Sequence, residues 1–171
     1  MSEILDILRQ EIRNQGPISI SRYMEICLLD PNFGYYIKRD PIGVKGDFTT
    51  APEISQMFGE LIGLWAIKVW QQTGSPNRFQ LVELGPGRGT LLSDALRAVD
   101  MVSPFPNAIE LHLVEISETF RNIQRSKLSK YQPKWHDDLT TLPDGPMFII
   151  ANEFFDALPI RQFERRSEGW H

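Results

Sequence analysis

A doubly wound α/β fold with a mainly parallel sheet and a helical N-terminal extension is predicted by three observations. Short apolar runs alternate with helical periods from residue 79 onward, a glycine-rich turn joins the first run to a helix, and three helical patterns precede them. The stretches between the apolar runs are long enough for right-handed helical crossovers, which join parallel strands.

Residues 2–15 place Ile4, Leu5, Leu8 and Ile12 on one helical face, with Ser2 as the expected cap and Gly16-Pro17 as the stop. A second helix is expected over 19–29, ended by Asp30-Pro31. Residues 32–52 are rich in Gly, Pro and aromatics and read as a long ordered loop. Pro52 and Glu53 then open a helix that closes at Gly74, with Ile54, Phe58, Leu61, Ile62, Trp65 and Val69 as its expected core face. Strands follow at 79–84, 109–115, 133–136 and 147–152, with a fifth expected at 160–165, and helices at 91–99 and 117–128 lie between them. This order divides the chain into an extension with a substrate-side loop, 1–75, and a cofactor-binding core, 76–171.

Composition narrows the function. With 171 residues, 42% hydrophobic and 23% charged, the chain suits a single buried core. A net charge of -4 and the lack of a basic cluster speak against nucleic-acid coating. No apolar run reaches the roughly 20 residues that span a bilayer, and the acidic start resembles neither a secretory signal nor a mitochondrial presequence. Cys27 is alone, and His112, His136 and His171 lack metal-ligand spacing, so neither a disulfide nor a metal is expected. A reducing, cytoplasmic setting fits these features.

The strongest motif is VELGPGRGT, residues 82–90. Gly85, Gly87 and Gly89 alternate between a strand end and a helix start, where glycine permits tight turning and close backbone approach to a ligand. The helix beginning at Thr90 directs free N–H groups toward an anion such as a carboxylate. GxGxG preceded by Glu83 differs from the nicotinamide fingerprint GxGxxG. A ligand-free structural turn is the alternative reading. Glu115, at the end of the next strand and followed by Ile116, is suited to accept from ribose hydroxyls. After the third strand, the segment containing Asp138 and Leu139 is placed to meet an adenine, although an acid there equally well caps a turn.

Together, the acid on the first strand, the Gly85-Pro86-Gly87 turn and the acids after the second and third strands look like a class I S-adenosylmethionine-dependent methyltransferase. Longer segments are more specific. GPISISRYMEICLLDPNFGYY (16–36), GDFTTAPEISQMFGE (46–60) and ANEFFDALPIRQF (151–163) resemble the MidA-like family. The resemblance implies S-adenosyl-L-methionine as cofactor and a protein acceptor arginine, with a complex I subunit the acceptor for the family's mitochondrial member and that member in the matrix. It further implies that the chain is an N-terminal half, with the last strands of the sheet absent and the fifth left as an open edge. Glu153 and Asp156, with the carbonyl of Asn152, suit a guanidinium, which is planar, cationic and bound best by carboxylates. Helix capping is their alternative reading. Asp47, Thr50, Pro52 and Glu53 are the expected opposite wall, again with helix-start chemistry as the alternative. A non-catalytic assembly factor that binds the same cofactor, and a small-molecule methyl or aminopropyl transferase, are the competing functions.

Overall fold

Phe79–Leu84 forms β1, and its six residues are all buried, as a strand covered on both faces requires. The computed structural model describes residues 3–38, 41, 43, 46–102 and 104–171. Parallel pairing joins β1 to β2 (Ile109–Val114) on one side and to β4 (Met147–Ile150) on the other, and β2 to β3 (Lys134–His136). The strand order is therefore β3-β2-β1-β4. Strand order reverses between β1 and β4, which creates a crevice beyond their carboxyl ends.

Helices α4 (Ala51–Ile54), α5 (Gln56–Gln72), α6 (Thr90–Val99), α7 (Phe105–Ala108) and α8 (Glu118–Lys127) belong to the same compact unit, residues 40–154. The second unit comprises 1–39 and 155–171, with α1 (Glu3–Gln15), α2 (Ile20–Leu29) and α3 (Tyr35–Lys38). In α2 the Ser19 hydroxyl accepts from the Arg22 N–H at 3.1 Å, and the Arg22 guanidinium in turn holds Glu11 of α1 at 2.6 Å. Ser2, the expected cap of α1, lies outside the described residues. A short antiparallel pair, β5 (Arg165–Arg166) and β6 (Gly169–Trp170), completes this unit.

Four sequence expectations are corrected. The long loop carries a helical turn, α3, whose first two residues, Tyr35 and Tyr36, pack edge-on. The helix expected to run from Pro52 to Gly74 breaks at Ser55, whose extended backbone ends α4 and whose hydroxyl caps α5. The fifth strand does not form over 160–165: of that range only Arg165 lies in a strand, β5, which pairs within its own hairpin with β6, where Gly169 has a φ of +131°. The division expected at 75/76 does not coincide with the compact units, because α5 packs on α6 within the sheet-bearing unit.

The phase of α5 also differs from the expectation. Its buried face is Gly59, Gly63, Ala66, Ile67 and Trp70, while Leu61 and Trp65 are each 60% exposed. Close approach explains this, since a β-carbon on Gly59 would lie 2.7 Å from the Asp94 Cβ and one on Gly63 would strike the Ala95 carbonyl. Small residues let α5 lie directly on α6, and the Trp70 indole closes the end by donating to the Pro76 carbonyl at 2.9 Å. Replacing Gly63 by valine is expected to lower the unfolding free energy by about 2–3 kcal/mol, read by urea denaturation. An unchanged midpoint would mean that the α5–α6 seam has slack.

Candidate functional site

Beyond the carboxyl end of β1 the chain turns through Gly85, Gly87 and Gly89, with φ of +59°, +52° and +71°. Only glycine adopts this left-handed region freely, so three of them in five residues curl the backbone tightly before α6 begins. Gly85 is also crowded: a β-carbon there would lie 2.5 Å from the Phe154 ring. Phe154 follows β4, so the turn is closed over by the strand on the far side of the crevice.

The resulting cleft, about 440 Å³ with its open mouth, is lined by Thr50, Pro52, Glu83, Gly85, Pro86, Gly87, Arg88, Thr90, Leu91, Asn152 and Glu153. Nine of the residues singled out from the sequence thus converge, from three separate stretches of chain. Glu153 is exposed and holds a left-handed backbone, φ +48°, which is uncommon for a residue with a β-carbon and recurs at functional sites. Asp156 belongs to the other compact unit, in the 3-10 turn Phe155–Ala157, and is exposed.

Glu83 sits on the β1 face that carries Phe79 and Leu81, inside the main apolar core, and is 3% exposed. Burial, reinforced by the neighbouring Glu115 carboxylate, pushes its carboxyl up to about 8. Its Oε2 has no hydrogen-bond partner and the residue lines the cleft. Glu115, at the end of β2, is 8% exposed, and burial raises its pKa against the opposing effect of the Ser117 N–H, which donates to Oε1 at 2.8 Å.

The walls are tied together by side chains. Thr90, the first residue of α6, donates its hydroxyl to Glu53 Oε1 at 2.5 Å and accepts from Lys127 of α8 at 2.7 Å. Glu53 also faces the Arg88 guanidinium at 3.7 Å. This gives Glu53 a bracing contact between α4 and the glycine turn, in place of a cleft-lining position. Asp47 is exposed, and its backbone N–H donates to the Pro41 carbonyl at 2.7 Å. Asp138 Oδ1 caps the 3-10 turn Leu139–Thr141 by accepting from the Thr140 N–H at 2.7 Å and its hydroxyl at 2.5 Å, which holds the carboxyl below its ordinary value. Ile116 and Leu139 expose apolar side chains beside Glu115 and Asp138, at 52% and 56%.

Several participants escaped the sequence reading. Arg121 of α8 binds the ends of two strands, donating Nε to the Glu115 carbonyl at 2.6 Å and Nη2 to the His136 carbonyl at 3.1 Å. Gln124 reaches the Gly87 carbonyl at 2.7 Å and the Glu115 carboxylate at 3.4 Å. The available signal was Gln124 four residues after Phe120 and four before Leu128, a polar residue on the face that should be apolar. His112 and His136, distant in sequence, share a hydrogen bond of 2.9 Å, and His136 Nδ1 meets the Thr141 hydroxyl at 2.8 Å. Burial lowers the pKa of both rings. No group of three or more potential metal ligands occurs among the described residues. No helix among them is long and apolar enough to cross a membrane.

A glycine turn between β1 and a helix, opening into the crevice where strand order reverses, with a buried acid ending the neighbouring strand, defines a Rossmann-like cofactor-binding half of the class I methyltransferase type. Residues 61–171 match the family described as "Putative S-adenosyl-L-methionine-dependent methyltransferase", and the chain belongs to that family. Among curated relatives, the chain is 41% identical to the human mitochondrial protein arginine methyltransferase NDUFAF7, over 99% of this chain and 44% of that protein. It is 40% identical to the Drosophila melanogaster homologue over 95% of this chain and 42% of that one. A crystal structure from Burkholderia thailandensis bound to S-adenosyl-homocysteine superimposes with a TM-score of 0.78 at 29% identity, covering 98% of this chain and 44% of that one. The chain thus spans less than half the length of these relatives, and the MidA-like resemblance is supported along nearly all of it.

Proposed function

We propose that this chain holds S-adenosyl-L-methionine at the glycine turn and supplies the methyl-donor side of a protein arginine N-methyltransferase. The observation that carries the reading is the cleft itself, which two left-handed glycines, Gly85 and Gly87, line together with Glu83, whose buried Oε2 has no partner, at the strand-order reversal. A cradle of this kind fits the cofactor's amino-acid end. Gly85 and Gly87 admit close backbone approach, and the ten-residue helix α6 presents unpaired N–H groups to a carboxylate. Glu115 would accept from the ribose hydroxyls, with the exposed Ile116 and Leu139 offering apolar faces to the base and Asp138 the polar edge.

When bound, the cofactor supplies an electrophilic methyl group on a sulfonium. The protein's own part is then to hold and orient the acceptor. Glu153 and the Asn152 carbonyl at the cleft are assigned to the guanidinium: contacts on its outer N–H groups fix the plane and direct one nitrogen inward. Positioning and electrostatic stabilisation account for most of the rate in such a site. Thr50 and Pro52 line the same cleft and are assigned to its acceptor side. The acceptor is an arginine of a protein substrate, of which a complex I subunit is the leading candidate, in a reducing compartment: the cytoplasm, or the matrix in a eukaryote.

Isothermal titration with S-adenosylhomocysteine tests the cofactor half. Micromolar binding is expected, weakened about 10- to 100-fold in Glu115→Ala through the loss of charge-assisted hydrogen bonds. A folded chain that shows no heat would reject the assignment. The transfer half is tested on the longer protein with labelled methyl donor and a complex I subunit. Cofactor binding without transfer would favour the non-catalytic assembly role, and transfer to a small amine would favour the third reading.

A further inference from the structure

We infer that Gln124 is a positioning residue that sets the distance between the glycine turn and the ribose-binding acid. The proposal deepens the cofactor reading above and rests on it. Gln124 is fully buried on α8, at 0% exposure, and its side-chain amide is engaged at both ends. Nε2 donates to the Gly87 carbonyl at 2.7 Å and to Glu115 Oε2 at 3.4 Å, while Oε1 accepts from the Trp135 indole at 2.8 Å.

The orientation of this amide is forced. Reversed, its oxygen would face the Gly87 carbonyl and the Glu115 carboxylate, and its NH2 would face the indole N–H, so every contact would be repulsive. One side chain therefore links the turn after β1, the acid after β2 and the indole on β3. Its stem lies beside the same turn: a β-carbon on Gly89 would come into ordinary contact with the Gln124 Cγ, at 3.4 Å.

The geometry gives Gln124 a specific job. Without its donors the Gly87 carbonyl and the Glu115 carboxylate lose the side chain they share, and their separation, which a cofactor reaching both must match, rests only on the Gly85–Val114 and Ser117–Glu115 bonds. An ordinary core residue would contribute to stability alone. Trp135 provides the comparison, since Trp135→Phe removes the indole donor but leaves both bonds on the cofactor side.

The decisive experiment measures S-adenosylhomocysteine affinity by calorimetry for wild type, Gln124→Met, Gln124→Glu and Trp135→Phe, together with amide hydrogen exchange of residues 86–90 without ligand. Gln124→Met is expected to weaken binding about 10- to 100-fold, and Trp135→Phe by no more than about threefold. Gln124→Glu replaces a donor by an acid beside Glu115. Its affinity relative to wild type is therefore expected to fall as pH rises and the introduced carboxyl ionises, with recovery toward acid. Exchange at 86–90 is expected to quicken in Gln124→Met and not in Trp135→Phe. Equal losses of affinity in Gln124→Met and Trp135→Phe would reduce Gln124 to a packing role and overturn the proposal, as would unchanged affinity in both.

If Gln124→Met does not fold, the pH trend of Gln124→Glu decides, with a flat ratio counting against the brace. Should wild type itself not bind S-adenosylhomocysteine, the cofactor reading fails. The exchange comparison then decides the brace separately, quickening at 86–90 in Gln124→Met supporting it and unchanged exchange overturning it.

Discussion

Gly85→Val is expected to abolish measurable S-adenosylhomocysteine binding, a loss of at least about 100-fold, for two reasons that add. A β-branched residue is strained at the φ of +59° that Gly85 adopts, by roughly 1–2 kcal/mol. Any β-carbon at that position also lies 2.5 Å from the Phe154 ring, so either the ring or the turn must move. Phe154 directly follows Glu153, so the displacement falls on the acceptor wall as well as on the cofactor cradle. The Gly85 N–H continues the sheet by donating to the Val114 carbonyl at 2.9 Å, which leaves the turn little freedom to yield. Gly74→Ala is the matched control: Gly74 has a φ of +91° but nothing within 4 Å of a β-carbon, so it carries the backbone strain without the clash. Calorimetry should find Gly74→Ala binding like wild type. Full affinity in Gly85→Val would show that the glycine turn is not the ligand cradle.

How far this was legible in the sequence depends on the range of the interactions. β1 was predicted with its observed ends, because an apolar run closed by glycines is a local signal. The glycine turn was legible for the same reason. The buried face of α5 was not: counting apolar side chains favours Leu61 and Trp65, whereas the contact with α6 is made where side chains are absent, at Gly59 and Gly63. Hydrophobic periodicity has no term for close backbone approach. The bond between Glu53 and Thr90 spans 37 residues of chain, beyond the reach of any local pattern. Gln124 shares the apolar face of its helix with Phe120, but the partners of Arg121 and Gln124, carbonyls at the strand ends and on the glycine turn, are set by tertiary structure and not by any local pattern. The pairing of His112 with His136 needed the parallel register of β2 and β3, which no spacing rule supplies. Asp138 illustrates a different limit, because one carboxyl oxygen already caps a turn, as its alternative reading held.

Glu83 makes the pH dependence of stability run opposite to that of an ordinary carboxylate. Its carboxyl is pushed up to about 8 by burial and, to a lesser degree, by Glu115, against an ordinary value of 4.5. Between those two pH values the folded chain retains a proton that the unfolded chain has released, so folding stability falls as pH rises across that window. The contribution is fully present below the ordinary value and is lost as pH passes 8. Its size is at most about 4–5 kcal/mol, with relaxation around the ionised group reducing it. Urea unfolding of the ligand-free chain should therefore give a lower free energy at about pH 9 than at about pH 6, with most of that difference absent in Glu83→Gln. Glu115, whose pKa is also raised by burial, accounts for a residual slope of the same sign. The substitution also separates charge from shape. A protonated carboxyl and an amide each offer a donor and an acceptor to the cleft, so at about pH 6 Glu83→Gln should bind S-adenosylhomocysteine within about threefold of wild type, whereas Glu83→Leu, which offers neither, should bind at least about tenfold more weakly. A wild-type stability that rises over the same pH interval would place an ionised Glu83 in the folded chain, and the cleft would then carry a fixed negative charge beneath the glycine turn.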